Sequence, residues 1–344
     1  MNHEARFRGL LLGTAVGDAL GLPLEGLSPR RARRLFPGQL RMRLLPGIGL
    51  VSDDTEHTLL VAASLLRHPD DPAAFARDLA RGLRWWLLAL PGGVGWATLR
   101  AGLKLWLGFS PSRSGVYSAG NGPAMRVAVI GAYLADGGNP LPHVRAATCL
   151  THRDPRALCG ALAVARVAAN IIRDQPPGRR GLLACLRDCG PADREWRSRL
   201  ARLGQALRGD WPPARLAAAY GLQAGVSGYI YHTVPMAIYC WYQHRGNFRG
   251  AVTAAVSLGG DSDTVAAICG ALAGLEVGEA GIPRDWLVGL RDWPRGRPLL
   301  EKTADALARG AAPPGYCWPA VPPRNLVFIG VVLLHGLRRL APPY

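Results

Sequence analysis

Lysine is nearly missing from this chain. Of 41 basic residues only Lys104 and Lys302 are lysine, so with 24 acidic residues the formal net charge of +17 rests on arginine. Charged side chains are also sparse, at 19% of 344 residues. The 49% that are hydrophobic supply a sizeable core, with room for one large domain or two small ones. No stretch of roughly 18 uninterrupted apolar residues occurs, so a membrane-spanning helix is not expected. The apolar patch Gly9-Leu10-Leu11-Leu12-Gly13 follows a polar N-terminus and carries no signal-peptide cleavage pattern. Disulfides are not expected either. The seven cysteines are odd in number and sit mostly on apolar helical faces, which reads as free thiols in a reducing cytoplasm. Cys185 and Cys189 lie four apart, but no second Cys or His pair completes a zinc site. Runs alternating with period two are few and short, and there is no internal repeat.

What the chain does have is helical periodicity. Residues 71–90, 157–172 and 265–275 repeat apolar positions at three and four, while Pro and Gly mark loops at 91–95, 110–123, 137–142, 174–181 and 310–323. The expectation is one all-α domain over 1–310, then a Pro-rich strap and a C-terminal helix over 311–344 packed on it. Within that tail, 326–340 opens on nine apolar residues and ends near Arg338 and Arg339. It reads as too short to span a bilayer; a partner or membrane-surface helix is the alternative to packing on the domain. The arginine excess suits an anionic partner such as a nucleotide or nucleic acid, though a GC-rich genome yields the same bias.

Two acidic motifs stand out. Ser52-Asp53-Asp54-Thr55-Glu56 immediately precedes the apolar run 58–66, and Gly259-Gly260-Asp261-Ser262-Asp263-Thr264 immediately precedes another at Val265. One such residue makes a helix cap, but four in a row exceed what a cap needs. Gathering Asp53, Asp54, Asp261 and Asp263 in one place costs several kcal/mol of mutual repulsion unless a cation neutralises them. Carboxylate and hydroxyl donors suit Mg²⁺ or Mn²⁺ better than zinc. Acidic capping of two separate helices stays open beside this metal reading.

The order of motifs resembles the ADP-ribosylglycohydrolase family, in particular its bacterial branch of dinitrogenase reductase-activating glycohydrolases. The likeness runs from about residue 6 to 286. It comprises Gly13-x-x-x-Gly17-Asp18-Ala19-Leu20-Gly21, Glu25, the Ser52 motif, Gly120-Asn121-Gly122-Pro123-Ala124-Met125-Arg126, Thr151-His152, Ser227-Gly228-Tyr229, the Asp261 motif and Gly281-Ile282-Pro283-x-x-Trp286. It implies an all-α fold with two ions, Mg²⁺ or Mn²⁺, at the mouth of an ADP-ribose cleft. Ser52, Asp53, Asp54, Asp261, Asp263 and Thr264 would then be ligands, and Glu25, Asp53, Asp54 and Asp263 the catalytic carboxylates. Gly120, Asn121 and Gly122 would cradle the phosphates, His152 would contact the nucleotide, and Tyr229 would lie along the adenine.

Taken alone, Asp18 reads as ending or capping its own helix, His152 as closing a helix, and Tyr229 as core packing. The sequence also departs from the resemblance. Gly93 stands where arginine-directed members carry a loop aspartate, and Arg30-Arg31-Ala32-Arg33-Arg34 would either face solvent or form a basic rim for a phosphate-rich target. The expected activity is metal-dependent release of ADP-ribose from a protein, nucleic acid or small conjugate. A non-catalytic ADP-ribose binder and a two-metal phosphohydrolase remain as alternatives. A monomer without a membrane partner is expected.

Overall fold

Glycines four apart along the first helix decide how the core is built. The computed structural model describes residues 2–190 and 193–340. A Cβ added to Gly9, Gly13 or Gly17 would lie 2.1, 2.2 or 2.1 Å from the carbonyl oxygens of Gly274, Gly270 and Ala266. The helices His3–Gly21 and Ser262–Val277 therefore pack backbone against backbone, closer than any side chain permits. Both are apolar nearly all round, as helices enclosed by others must be. Around them stand the helices Asp53–Arg67, Pro155–Ile172, Ile230–Gln243, Phe248–Ser257 and Arg297–Arg309.

Nineteen α-helices and no strand occur among the described residues, which is the all-α architecture expected. Boundaries differ in instructive places. The acidic motifs do not precede their helices. Asp53 and Asp54 lie in the first turn of Asp53–Arg67 with Ser52 as its cap, whereas Asp261 holds the cap position of Ser262–Val277 without a side-chain capping bond and Asp263 is in its first turn. Short helices Pro111–Ser114 and Gly122–Met125 interrupt the stretch read as a loop, because proline near a helix start has no N–H that needs a partner. All seven cysteines are free.

The C-terminal helix also differs from its reading. It runs Val321–Arg338 behind the turn Trp318–Ala320. The 21 residues from Trp318 to Arg338 are long and apolar enough to cross a membrane, and only 22% of the most apolar window of 18 residues within it is buried against the protein. The other helix of that kind, Pro155–Ile172, is 72% buried and belongs to the core. The sequence reading took 311–323 as a Pro-rich strap and began the last helix at Leu326; Pro322, Pro323, Arg324 and Asn325 instead form its first turn, and Asn325 faces inward.

Candidate active site

The close crossing sets the end of the first helix beside the start of Ser262–Val277, where Ser262 Oγ donates to the Gly21 carbonyl at 2.9 Å. Asp18, fully buried one turn earlier, does not cap its own helix. Its Oδ2 accepts from Ser52 N at 2.9 Å, Thr55 N at 3.2 Å and Thr55 Oγ1 at 2.6 Å, so it caps the Asp53–Arg67 helix from outside. Burial pushes the Asp18 pKa up to about 6 against these donors. Thr264 Oγ1 donates to Asp54 Oδ2 at 3.3 Å, as does Ser52 Oγ, so the two acidic motifs, 210 residues apart, meet.

Glycine makes the remaining approach possible. Gly259 and Gly260 have φ of 64° and 75°, and a Cβ at Gly260 would lie 2.0 Å from Val226 O. Through that gap Gly260 bridges both Leu27 and Val226. Asn121 then fixes Asp261: its Nδ2 donates to Asp261 Oδ2 at 2.7 Å and to Thr233 Oγ1 at 2.9 Å.

These loops enclose a cavity of about 530 Å³. Glu25, Ser52, Asp53, Asp261, Asp263, Thr264, Gly120, Asn121, Gly122 and His152 all line it. Two expected site residues do not. Asp54 is buried beneath the floor, and Tyr229 turns away: its hydroxyl donates to Glu195 at 2.8 Å and its ring packs under Arg156. The Tyr229 main chain, bridged to Gly120, is what reaches the site. Arg30, Arg31, Arg33 and Arg34 are not among the lining residues either, and neither is any other arginine or lysine.

Electrostatics single this cavity out. Burial, then mutual repulsion, raises Asp53, Asp54 and Asp263 well above the ordinary carboxylate range. Glu25 reaches solvent at the rim, yet crowding by protein and then Asp261 also raise its pKa. His152 is held neutral, its pKa pushed down to about 3 by burial and then by Arg126. A hollow of about 590 Å³ lies elsewhere, between Trp85, Trp86 and Tyr316, but its buried acid Glu56 is paired with Arg295 at 2.9 Å and it gathers no unpaired carboxylates.

Among the described residues no three Asp, Glu, His or Cys side chains stand close enough to ligate one ion as they are. The donor set nevertheless fits a hard divalent cation. It offers carboxylates with the hydroxyls of Ser52 and Thr264, no cation in the lining to neutralise them, and a buried Asp54 Oδ1 with no hydrogen-bond partner. One wall was not legible in the sequence. Phe328, Ile329, Val332 and Leu333 of the C-terminal helix face Trp96 and the 92–95 loop across the cavity. Arg324 pins that helix to the acidic motif, donating to Val51 O at 2.7 Å and to Glu56 Oε1 at 3.3 Å and pairing with Asp292. Gly93, at φ 77°, holds a left-handed conformation that an aspartate adopts only at some cost.

Known proteins resemble this chain over most of its length. The model of a family described as ADP-ribosylglycohydrolase matches residues 1–316. The ADP-ribosyl-[dinitrogen reductase] glycohydrolase of Rhodospirillum rubrum is 31% identical, over 82% of this chain and 89% of that protein. ADP-ribosylhydrolase ARH3 of Gallus gallus is 28% identical, over 82% and 88%. A solved structure titled "ADP-ribosylglycohydrolase-related protein complex" superposes with a TM-score of 0.66 at 30% identity, covering 90% of this chain and 99% of its own.

Proposed function

The chain belongs to the ADP-ribosylglycohydrolase family, an enzyme family that hydrolyses ADP-ribose linkages, and on that premise we propose that the carboxylate-floored cavity is where the bond is cut. The observation that carries this reading is the convergence of the two acidic motifs, joined by Thr264 and Asp54, in a cavity whose described lining holds no arginine or lysine. Ser52, Asp53, Asp54, Asp261, Asp263 and Thr264 would hold Mg²⁺ or Mn²⁺, two ions in the fullest form of the reading. Bound there, such an ion supplies Lewis acidity toward the ribose hydroxyls and the attacking water.

The chain's own residues do the rest. Breaking the glycosidic bond at ribose C1 builds oxocarbenium-like charge, and the buried carboxylates stabilise it in surroundings with little water. Glu25, at the rim and beside Asp261 and Asp263, takes the proton of the incoming water as its oxygen bonds to C1; the departing atom leaves with the bonding pair and receives that proton from Glu25 or through solvent. Asn121 holds Asp261 in place. Gly120 and Gly122 leave their backbone open beside His152, room that a diphosphate needs and a Cβ would fill: an added Cβ would lie 2.9 and 3.1 Å from that ring. His152, neutral, offers one ring nitrogen as a hydrogen-bond partner without adding charge.

The test is a panel of ADP-ribosylated arginine, serine, DNA and RNA, incubated with Mg²⁺, with Mn²⁺ and with chelator. Free ADP-ribose should appear from at least one, only with metal, and neither AMP nor a cut strand should form. AMP release would turn the reading to a phosphohydrolase. Tight ADP-ribose binding with no turnover on any substrate would make the chain a binder.

A further inference from the structure

The C-terminal helix buries Val321 and Phe328 against the body but leaves most of its large apolar side chains outside. Its inward side carries polar groups that hydrogen-bond to the body: Asn325 Nδ2 donates to Ala89 O at 2.8 Å, and His335 Nε2 lies 2.9 Å from Pro23 O. Its outward side presents Leu326, Val327, Leu333, Leu334, Leu337 and Leu340, each between 58% and 68% exposed. Six large apolar residues on one face exceed the scatter of single exposed leucines that soluble surfaces carry.

The flanks of that face carry a second pattern. At its C-terminal end the segment 29–43 packs against the helix: Arg31 donates to Arg339 O at 2.9 Å, and the Phe36 and His335 rings stack at 5.7 Å. This sets exposed Arg41 and exposed Arg338 around Arg43, with exposed Arg30 and Arg33 on the same packed segment. Burial, followed by the charges of Arg41 and Arg338, lowers the Arg43 pKa, a sign of how these guanidinium groups crowd. At the other end Trp293, 65% exposed, and Arg291 share a groove with Val327. The acid there, Asp292, is buried in its pair with Arg324. An apolar stripe bordered by tryptophan and arginine is the composition of a helix lying in a lipid interface.

We propose that the Val321–Arg338 helix and the adjoining arginines form a docking face for an anionic lipid surface, with the helix lying on the membrane rather than crossing it. Crossing would strip Arg324, Asn325 and His335 of their partners and place them in hydrocarbon. A second copy of the chain fits less well. Paired parallel or antiparallel, the two helices would bring arginine-bearing ends together. The sequence reading expects no membrane partner and prefers a helix packed on the domain, with a partner or membrane-surface helix as its alternative; which side of the helix is left exposed is a property of packing. The inference is independent of the reaction: of the docking residues only Leu333 also borders the cavity, and the test leaves it unchanged.

The experiment is flotation of the purified chain with phosphatidylcholine vesicles, with and without phosphatidylglycerol. Binding should require the anionic lipid and weaken as salt rises. Leu326→Asp/Leu334→Asp/Leu337→Asp and, separately, Arg41→Glu/Arg338→Glu should each lower binding by at least about tenfold. All five positions are exposed and outside the cavity, so circular dichroism of both variants should match the parent. Failure of the parent to float with anionic vesicles overturns the proposal. So does undiminished binding by the folded variants, or a parent dimer in light scattering that the leucine variant alone converts to monomer.

Discussion

Asp18 and His152 show how single side chains act here through what surrounds them. Asp18 supplies three acceptor contacts to the Ser52–Thr55 turn, so Asp18→Ala would leave buried donors unpaired. A loss of about 2–3 kcal/mol in urea unfolding is expected, with activity falling as the turn loosens. Asp261→Asn and Asp263→Asn should behave differently. Each removes a negative charge from a crowded floor, so stability in chelator should hold or rise while ADP-ribose release falls on the order of 100-fold or more. Normal turnover by either variant with metal chelated away would refute the proposed ligand roles. His152 carries a pH signature. Its folded pKa, about 3, lies below the ordinary 6.5, so its contribution is intact above 6.5 and is lost as pH falls from 6.5 toward 3. At pH 5 the deficit amounts to about 2 kcal/mol. Urea unfolding at pH 7 and pH 5 should therefore show a smaller acid penalty in His152→Asn than in the parent, and equal penalties would contradict the assignment.

Among the elements, the glycine-faced crossing of the first helix with Ser262–Val277 sets the register of the site. Gly17→Ala places a methyl group 2.1 Å from Ala266 O, and the neighbour is backbone, which cannot swing away. The helices must part, at a cost of about 3 kcal/mol or more. Parting also moves the Asp261–Thr264 turn relative to Ser52–Thr55, so turnover should fall with stability. Gly330→Ala is the natural control. It sits in the Val321–Arg338 helix with nothing near its added carbon, and it should leave urea unfolding unchanged or slightly improved.

At the scale of the whole molecule, the tail beyond the family match is part of the cleft. Ending the chain at Cys317 removes Arg324, one of two arginines on buried Glu56, together with the Phe328 wall. A stability loss of about 3 kcal/mol or more is expected. KM for a small ADP-ribosyl conjugate should rise as well, because one side of the cavity opens to water. Steady-state kinetics beside thermal unfolding would separate the two effects, and an unchanged KM in a folded truncation would show that the wall does not touch substrate.

Local chemistry is what the sequence determined by itself. Apolar spacing of three and four, proline near helix starts and Asp71 or Ser52 as caps act within a turn or two, so the all-α class and several of the long helices were readable, while the number of helices was not. The motif order carried the family and most of the cavity lining with it. Tertiary structure decided which distant atoms meet. Nothing in the spacing of Asp18 says that it caps a helix 34 residues later, and nothing around Tyr229 says that its hydroxyl reaches Glu195 rather than the cleft. Most of all, the apolar run 326–334 has one pattern whether its leucines face the core or solvent. The partners found by Arg324, Asn325 and His335, together with the burial of Val321 and Phe328, decide which side turns inward and leave Leu326, Leu334 and Leu337 out, because an unpaired buried polar group costs more than an exposed leucine.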